Sequence, residues 1–212
     1  ADMIEENFDA QQCQAYQENI LEHNISKRPQ TGDWDVPEEI DGKYIFIPIQ
    51  KIHDVSVTQY SNIGMLNFIT ETTKFAEQKK IEVIIKQHPH ATGDHSIINI
   101  LVEKLKKKYE TIHIVNASIY QLMQHARFTA CVNSGSVVDN FVTQTPAFCS
   151  GKSFFYKSGT IIFDENTQRG LNTMFNQDYD WKQMKQQQLK MLWWLKNNLL
   201  FPYLEPEENL KR

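Results

Sequence analysis

Apolar and polar positions along this 212-residue chain switch repeatedly between two rhythms. "KYIFIPIQ" (Lys43 to Gln50) is a short apolar run rich in β-branched and aromatic residues, the pattern of a strand buried on both faces. After a polar turn, Leu66, Ile69, Thr73 and Ala76 recur at spacings of three and four, which predicts a helix over 62–79. The strand "IEVIIK" follows, then a helix from about His95 to Tyr109, the strand "TIHIVN" (Thr111 to Asn116) and a short helix "SIYQLMQHA". "RFTACVN" (Arg127 to Asn133), a helix beginning near Ser136 and "PAFCS" continue the alternation. Strand and helix in turn predict an α/β fold, a parallel sheet with helices on both faces. Residues 1–28 pattern as a helix with Phe8, Tyr16, Ile20 and Leu21 as anchors, and the polar loop "SKRPQTGDWDVPEEIDG" separates it from the first strand. Residues 1–42 are therefore expected to be an N-terminal helix and linker, and 43–212 the domain, closed by a C-terminal helix carrying Met184, Leu189, Leu192 and Leu195.

Composition narrows the function classes. With 41% hydrophobic and 23% charged residues and a net charge of -4, the chain fits a globular domain and has no global attraction for nucleic acid. Cys13, Cys131 and Cys149 form no CxxC pair, which indicates neither a zinc site nor a disulfide framework and suits a reducing compartment. No apolar run reaches the roughly 18 residues of a membrane span, and the acidic start "ADMIEENFDAQQ" is unlike a secretory signal. A cytoplasmic protein is expected. "MLWWLKNNLLFPYL" places Trp193, Trp194 and Phe201 where they could touch the inner membrane face, but an aromatic stripe with few basic residues is better explained as core.

Parallel sheets bind ligands beyond the carboxyl ends of their strands, and the unusual polar residues fall at those ends. Gln50 and Asp54 follow the first strand, Lys86, His88 and Pro89 the second, Asn116 the third, and "NSGS" (Asn133, Ser134, Gly135, Ser136) the fourth. Small residues opening a helix make "NSGSVVDNF" a candidate phosphate cradle, with Asp139 one turn on as a candidate ribose ligand; simple helix capping by Ser134 or Ser136 is the competing account. Pro89 restricts His88 to extended backbone and so aims its imidazole, which could bind a phosphate or stabilise a leaving group. Asp54, past a strand end, is placed to act as nucleophile or base, or merely to cap a turn.

A metal site is the rival account for His88, His90, Asp94 and His95, but their spacing matches no familiar ligand set. The Asp-x-Asp triplets Asp33–Asp35 and Asp178–Asp180 do not directly follow apolar strands and fit solvated loops. No metal or other cofactor is expected.

"ISKRP", "FIPIQKIHD", "VIIKQHPH" and "ASIYQLMQHARFTACVNSGSVVDNFVTQTPAFCSGKSFF" together resemble the capsule polysaccharide synthesis family, which includes bacterial Kdo transferases, over about residues 20 to 200. The resemblance implies a Rossmann-like fold, the donor-binding half of a GT-B glycosyltransferase. It implies that His88 and Pro89 hold the donor phosphate, that Ser134 and Ser136 occupy a phosphate-binding turn, and that Asp54 attacks the anomeric carbon of CMP-Kdo without a metal. Lys86 would neutralise the departing phosphate. The implied partners are a nucleotide-sugar donor, a glycan or glycolipid acceptor, and an N-terminal acceptor-binding half, since only about 40 residues precede the first strand. The chain is expected to be a fragment, one module of a larger protein, or a reduced form with its own acceptor site. Gln87 stands where the family more often has proline, which leaves the donor open: a UDP- or dTDP-sugar transferase or epimerase, or a non-catalytic nucleotide-binding half, are the alternatives.

Overall fold

The computed structural model describes residues 8–26, 32–88 and 92–199. The five apolar runs become the strands β1 (Tyr44–Pro48), β2 (Glu82–Lys86), β3 (Ile112–Ile114), β4 (Phe128–Cys131) and β5 (Ala147–Cys149), and a sixth strand that the sequence pattern did not announce, β6 (Ile162–Phe163), joins them. They form one sheet in the order β3-β2-β1-β4-β5-β6, and every neighbouring pair is parallel. The chain builds outward from β1 to β3, then returns to β4 and builds the other way. The crevice between the β1 and β4 ends is thus the topological switch point, where doubly wound sheets take their ligands.

Strand side chains alternate between faces, and this divides the core in two. Tyr44 and Phe46 of β1 enter a layer with α1 (Ala10–Glu22), α5 (Ile119–Gln124), α6 (Val137–Thr143) and α8 (Trp181–Asn198). Ile45 and Ile47 enter the opposite layer with α3 (Met65–Lys79), α4 (Thr92–Lys106) and α7 (Thr167–Asn176). The short α2 (Val55–Tyr60) joins that second layer through Val57. Burial on both sides explains why β1 reads as a continuous apolar run rather than an alternating one.

α8 buries Leu192, Trp193 and Leu195 in the first layer, so its aromatic stripe is core as far as Trp193; Phe201 lies outside the described residues. Among the described residues no helix is long and apolar enough to cross a membrane. α1 contributes Cys13, Tyr16 and Ile20 to the same layer, and the Gln17 side-chain amide donates to the Val142 carbonyl of α6. The N-terminal helix is therefore integral to one face of the sheet.

α7 was not among the expected elements, although Leu171, Met174 and Phe175 stand at helical spacing along it. Its start is marked by Asn166, whose side chain accepts from the Arg169 N–H at 3.0 Å, and its end by Gln177 in the left-handed region at φ 58°. Gly170 faces the sheet: a Cβ there would sit 2.1 Å from a ring carbon of Phe148. Because that ring is itself fully buried, Gly170→Ala should cost about 1–3 kcal/mol of stability by overpacking, read as a lower urea midpoint at unchanged slope.

Candidate functional site

All strand exits share one edge because the sheet is parallel. At its centre, β1 and β4 are tied by reciprocal amide bonds: the Asn133 backbone N–H donates to Gln50 Oε1 at 3.0 Å, and Gln50 Nε2 donates to Asn133 Oδ1 at 2.9 Å. Asn133 Nδ2 also donates to the carbonyls of Ser56, at 2.6 Å, and Lys152, at 3.2 Å. Both side chains are buried. Gln50 and Asn133 thus fix the positions of the β1, β4 and β5 loops around the crevice.

Asp54 is the N-cap of α2, and both the backbone N–H of Ser56, at 2.8 Å, and its hydroxyl, at 2.7 Å, donate to Oδ1. The Ser56 hydroxyl bond and then the backbone bond hold the carboxyl below the usual aspartate range, with smaller help from Lys51 and His88. Asp54 is consequently an anion near neutral pH, fixed through one oxygen. Capping and chemistry are compatible here, because the cap engages Oδ1 and not Oδ2.

The influence of His88 on Asp54 shows that the β1 and β2 exits bring these two residues within electrostatic reach. The His88 carbonyl faces His95 Nε2 at 2.9 Å, which anchors the loop after β2. Lys86 is half-buried, its ammonium donates to the Ala117 carbonyl at 2.5 Å, and burial lowers its pKa. Pro89 lies outside the described residues.

In the turn after β4, Ser134 Oγ accepts from the Ser136 N–H at 3.2 Å and from its hydroxyl at 2.8 Å. Ser136 is the N-cap of α6 but its side chain makes no capping bond. The N–H groups of Val137, Val138 and Asp139 bond the carbonyls three residues back, so the first turn spends these donors internally. Gly135 is exposed, with open space where a Cβ would stand.

Asp139 is engaged elsewhere. Its carboxyl bonds the Tyr120 hydroxyl, while that hydroxyl donates to the Ile25 carbonyl at 2.5 Å. A tyrosine has one proton to give. The two acceptors compete for it: burial raises the Asp139 pKa to about 7, and the Tyr120 bond works the other way and lowers it. In this structure Asp139 ties α6 to α5 and to the segment after α1.

Asn116 is exposed at the β3 exit. Its carbonyl is crossed by Gly32, at φ +84°, where a Cβ would come within 2.4 Å of that oxygen. The rim therefore gathers Gln50, Asp54, His88 and the 133–136 turn around the switch point, with Lys86 and Asn116 toward β3 and Asp139 turned to Tyr120.

Of the residues considered as metal ligands, Asp94 accepts from the Ile52 N–H at 2.9 Å and His95 holds the His88 carbonyl. His90 lies outside the described residues. Among those described, no group of three His, Cys, Asp or Glu is placed to hold a metal. Asp180, from the second Asp-x-Asp triplet, caps α8 through the Gln183 N–H at 2.9 Å. Ser56 and Tyr120, which set the states of Asp54 and Asp139, escaped sequence inspection; the Asp-x-Ser spacing of Asp54 and Ser56 was the available sign of a cap.

The sequence pattern of the capsule polysaccharide biosynthesis proteins matches residues 10–185. The chain belongs to that family. No curated protein matches it by sequence. A KpsC β-Kdo 2,4-transferase structure from Thermosulfurimonas dismutans matches with a TM-score of 0.54 at 16% identity, over 77% of this chain and 52% of that one. The UDP-GlcNAc 2-epimerase of Methanocaldococcus jannaschii matches with a TM-score of 0.51 at 15% identity, over 93% of this chain and 52% of that one. At these identities the likeness establishes a shared α/β architecture. The chain spans about half the length of each of these two proteins.

Proposed function

We propose that this chain is a module of a metal-independent glycosyltransferase that moves a sugar, Kdo from CMP-Kdo, to a glycan acceptor in capsule or surface polysaccharide synthesis. The observation that carries the proposal is Asp54, a carboxylate held anionic by Ser56 at the switch point and within electrostatic reach of His88. Membership of a capsule polysaccharide biosynthesis family supports the pathway.

In the first step an Asp54 oxygen attacks the anomeric carbon. A glycosyl ester forms as the bond to the CMP oxygen breaks, and the electron pair leaves on the phosphate. His88 and Lys86 supply positive charge or hydrogen bonds to that phosphate. In the second step an acceptor hydroxyl attacks the same carbon, Asp54 is released as carboxylate, and the hydroxyl proton passes to a base such as neutral His88. The module would work on the cytoplasmic side, and a further half would complete an acceptor site to which this chain contributes one wall.

Calorimetric titration with CMP, UDP and CMP-Kdo tests the donor. CMP and CMP-Kdo should bind, and His88→Ala should weaken both by about tenfold, the loss of one charge-assisted hydrogen bond. Binding of UDP alone would instead identify a UDP- or dTDP-sugar transferase or epimerase. Binding of no nucleotide would leave a scaffolding half.

A further inference from the structure

The cleft between the end of α2 and the β5 exit is lined by Gln59, Tyr60, Ser61, Asn62, Lys152 and Glu165 and has a volume of about 190 Å³. From these features, and resting on the transferase proposal, we infer that it is a saccharide subsite that seats a sugar of the acceptor glycan next to the one that reacts at Asp54. Its position suits that role. α2 begins just after Asp54 and ends at Tyr60, so the cleft opens about 9 Å along the helix from the candidate nucleophile. It lies on the β5–β6 side of Asp54, whereas His88 lies on the β2 side. An acceptor could therefore approach without displacing the donor.

The chemistry of the walls selects a polyhydroxylated ligand. Gln59 and Asn62 offer both donors and acceptors, Ser61 a hydroxyl, and Tyr60 an aromatic ring on a residue 56% exposed. Lys152 and Glu165 are paired at 2.9 Å, and Asn62 Nδ2 donates to Glu165 at 3.1 Å. A lysine neutralised in this way gives the cleft no net positive charge, which disfavours a phosphate and leaves polar groups suited to hydroxyls. The volume equals that of roughly six liquid waters, about what one pyranose ring displaces.

The cleft is also built in advance. The Lys152 N–H donates to the Tyr60 carbonyl at 2.8 Å, which joins the two walls. A Cβ on Gly151 would stand 3.0 Å from Ser61 Cβ and 3.2 Å from Asn133 Nδ2, so glycine permits this close approach. Asn133 holds the Lys152 carbonyl from below and is itself held by Gln50. The buried amide pair at the switch point is thereby the foundation of this wall.

The test is amide-resolved NMR of the whole chain titrated with the methyl glycosides of Kdo, glucose and N-acetylglucosamine to about ten millimolar, the weak end of ligand binding. At least one glycoside should shift the amides of Gln59 to Asn62 and Lys152. Tyr60→Ala should weaken that binding about tenfold, Tyr60→Phe should retain it, and CMP binding should be the same in both variants. If none of the three glycosides shifts these amides, or if the shifts persist undiminished in Tyr60→Ala, the subsite is refuted. CMP binding with a silent cleft would refute the subsite alone. Glycoside binding in a chain that ignores nucleotides would support the subsite and refute the transferase proposal.

Discussion

Asp54→Asn should reduce sugar transfer by at least about a thousandfold while leaving the fold intact. Asparagine keeps an oxygen to accept the Ser56 N–H and ranks with aspartate as an N-cap, so the start of α2 survives. What disappears is the anion, since an amide oxygen cannot form a glycosyl ester that water or an acceptor then resolves. Asp54→Ala removes the cap as well and should add about 1 kcal/mol of destabilisation, which makes the asparagine variant the cleaner test. The pH profile offers a second readout. The Ser56 bonds hold the Asp54 pKa low, so activity in the wild type should persist below the ordinary aspartate range. Ser56→Ala removes the hydroxyl bond, the largest cause of that shift, and should move the acid limb of the profile to higher pH. Wild-type turnover in Asp54→Asn, assayed with CMP-Kdo and acceptor in the intact protein, would end the nucleophile assignment.

The central strands were legible because they are buried on both faces, as "YIFIP" and "EVIIK" show, whereas β6, two half-buried residues at the sheet edge, carries no such signal. The rim followed from topology, since parallel strands must present their exits on one edge. Less legible were features settled by partners distant in sequence. α7 carries a short amphipathic signal, Leu171, Met174 and Phe175 at helical spacing, that was passed over beside the longer helices, and those residues cover Phe148 and its neighbours. Asn133 looks in sequence like part of a phosphate turn, yet the amide of Gln50, 83 positions away, makes it a brace. Asp139, one turn into the helix after the "NSGS" turn, reads in sequence as a candidate ribose ligand. No local signal reveals that Tyr120 and Ile25 will complete a hydrogen-bonded chain around it.

That chain makes Asp139 the source of the second large effect, a stability that depends on pH. The folded pKa is about 7, against an ordinary value of 3.8. Between these values the folded chain keeps a proton that the unfolded chain has released, so stability from this group is complete below about pH 4 and declines as pH rises toward 7. Asp139→Asn should abolish that decline, because a buried amide carries no charge at any pH. The variant should match the wild type near pH 4 and exceed it by roughly 2 kcal/mol at pH 8, a figure discounted for partial exposure from about 1.4 kcal/mol per pKa unit. An opposing effect exists: Asp139 lies in the first turn of α6, where the helix dipole favours an anion by about 0.3–1 kcal/mol. That is smaller than the expected gain, so the sign holds. Other titrating groups contribute equally to both proteins and cancel in the difference between urea unfolding curves. Parallel stability profiles across this pH range would mean that Asp139 is ionised in the folded chain, its carboxylate held by the Tyr120 hydroxyl.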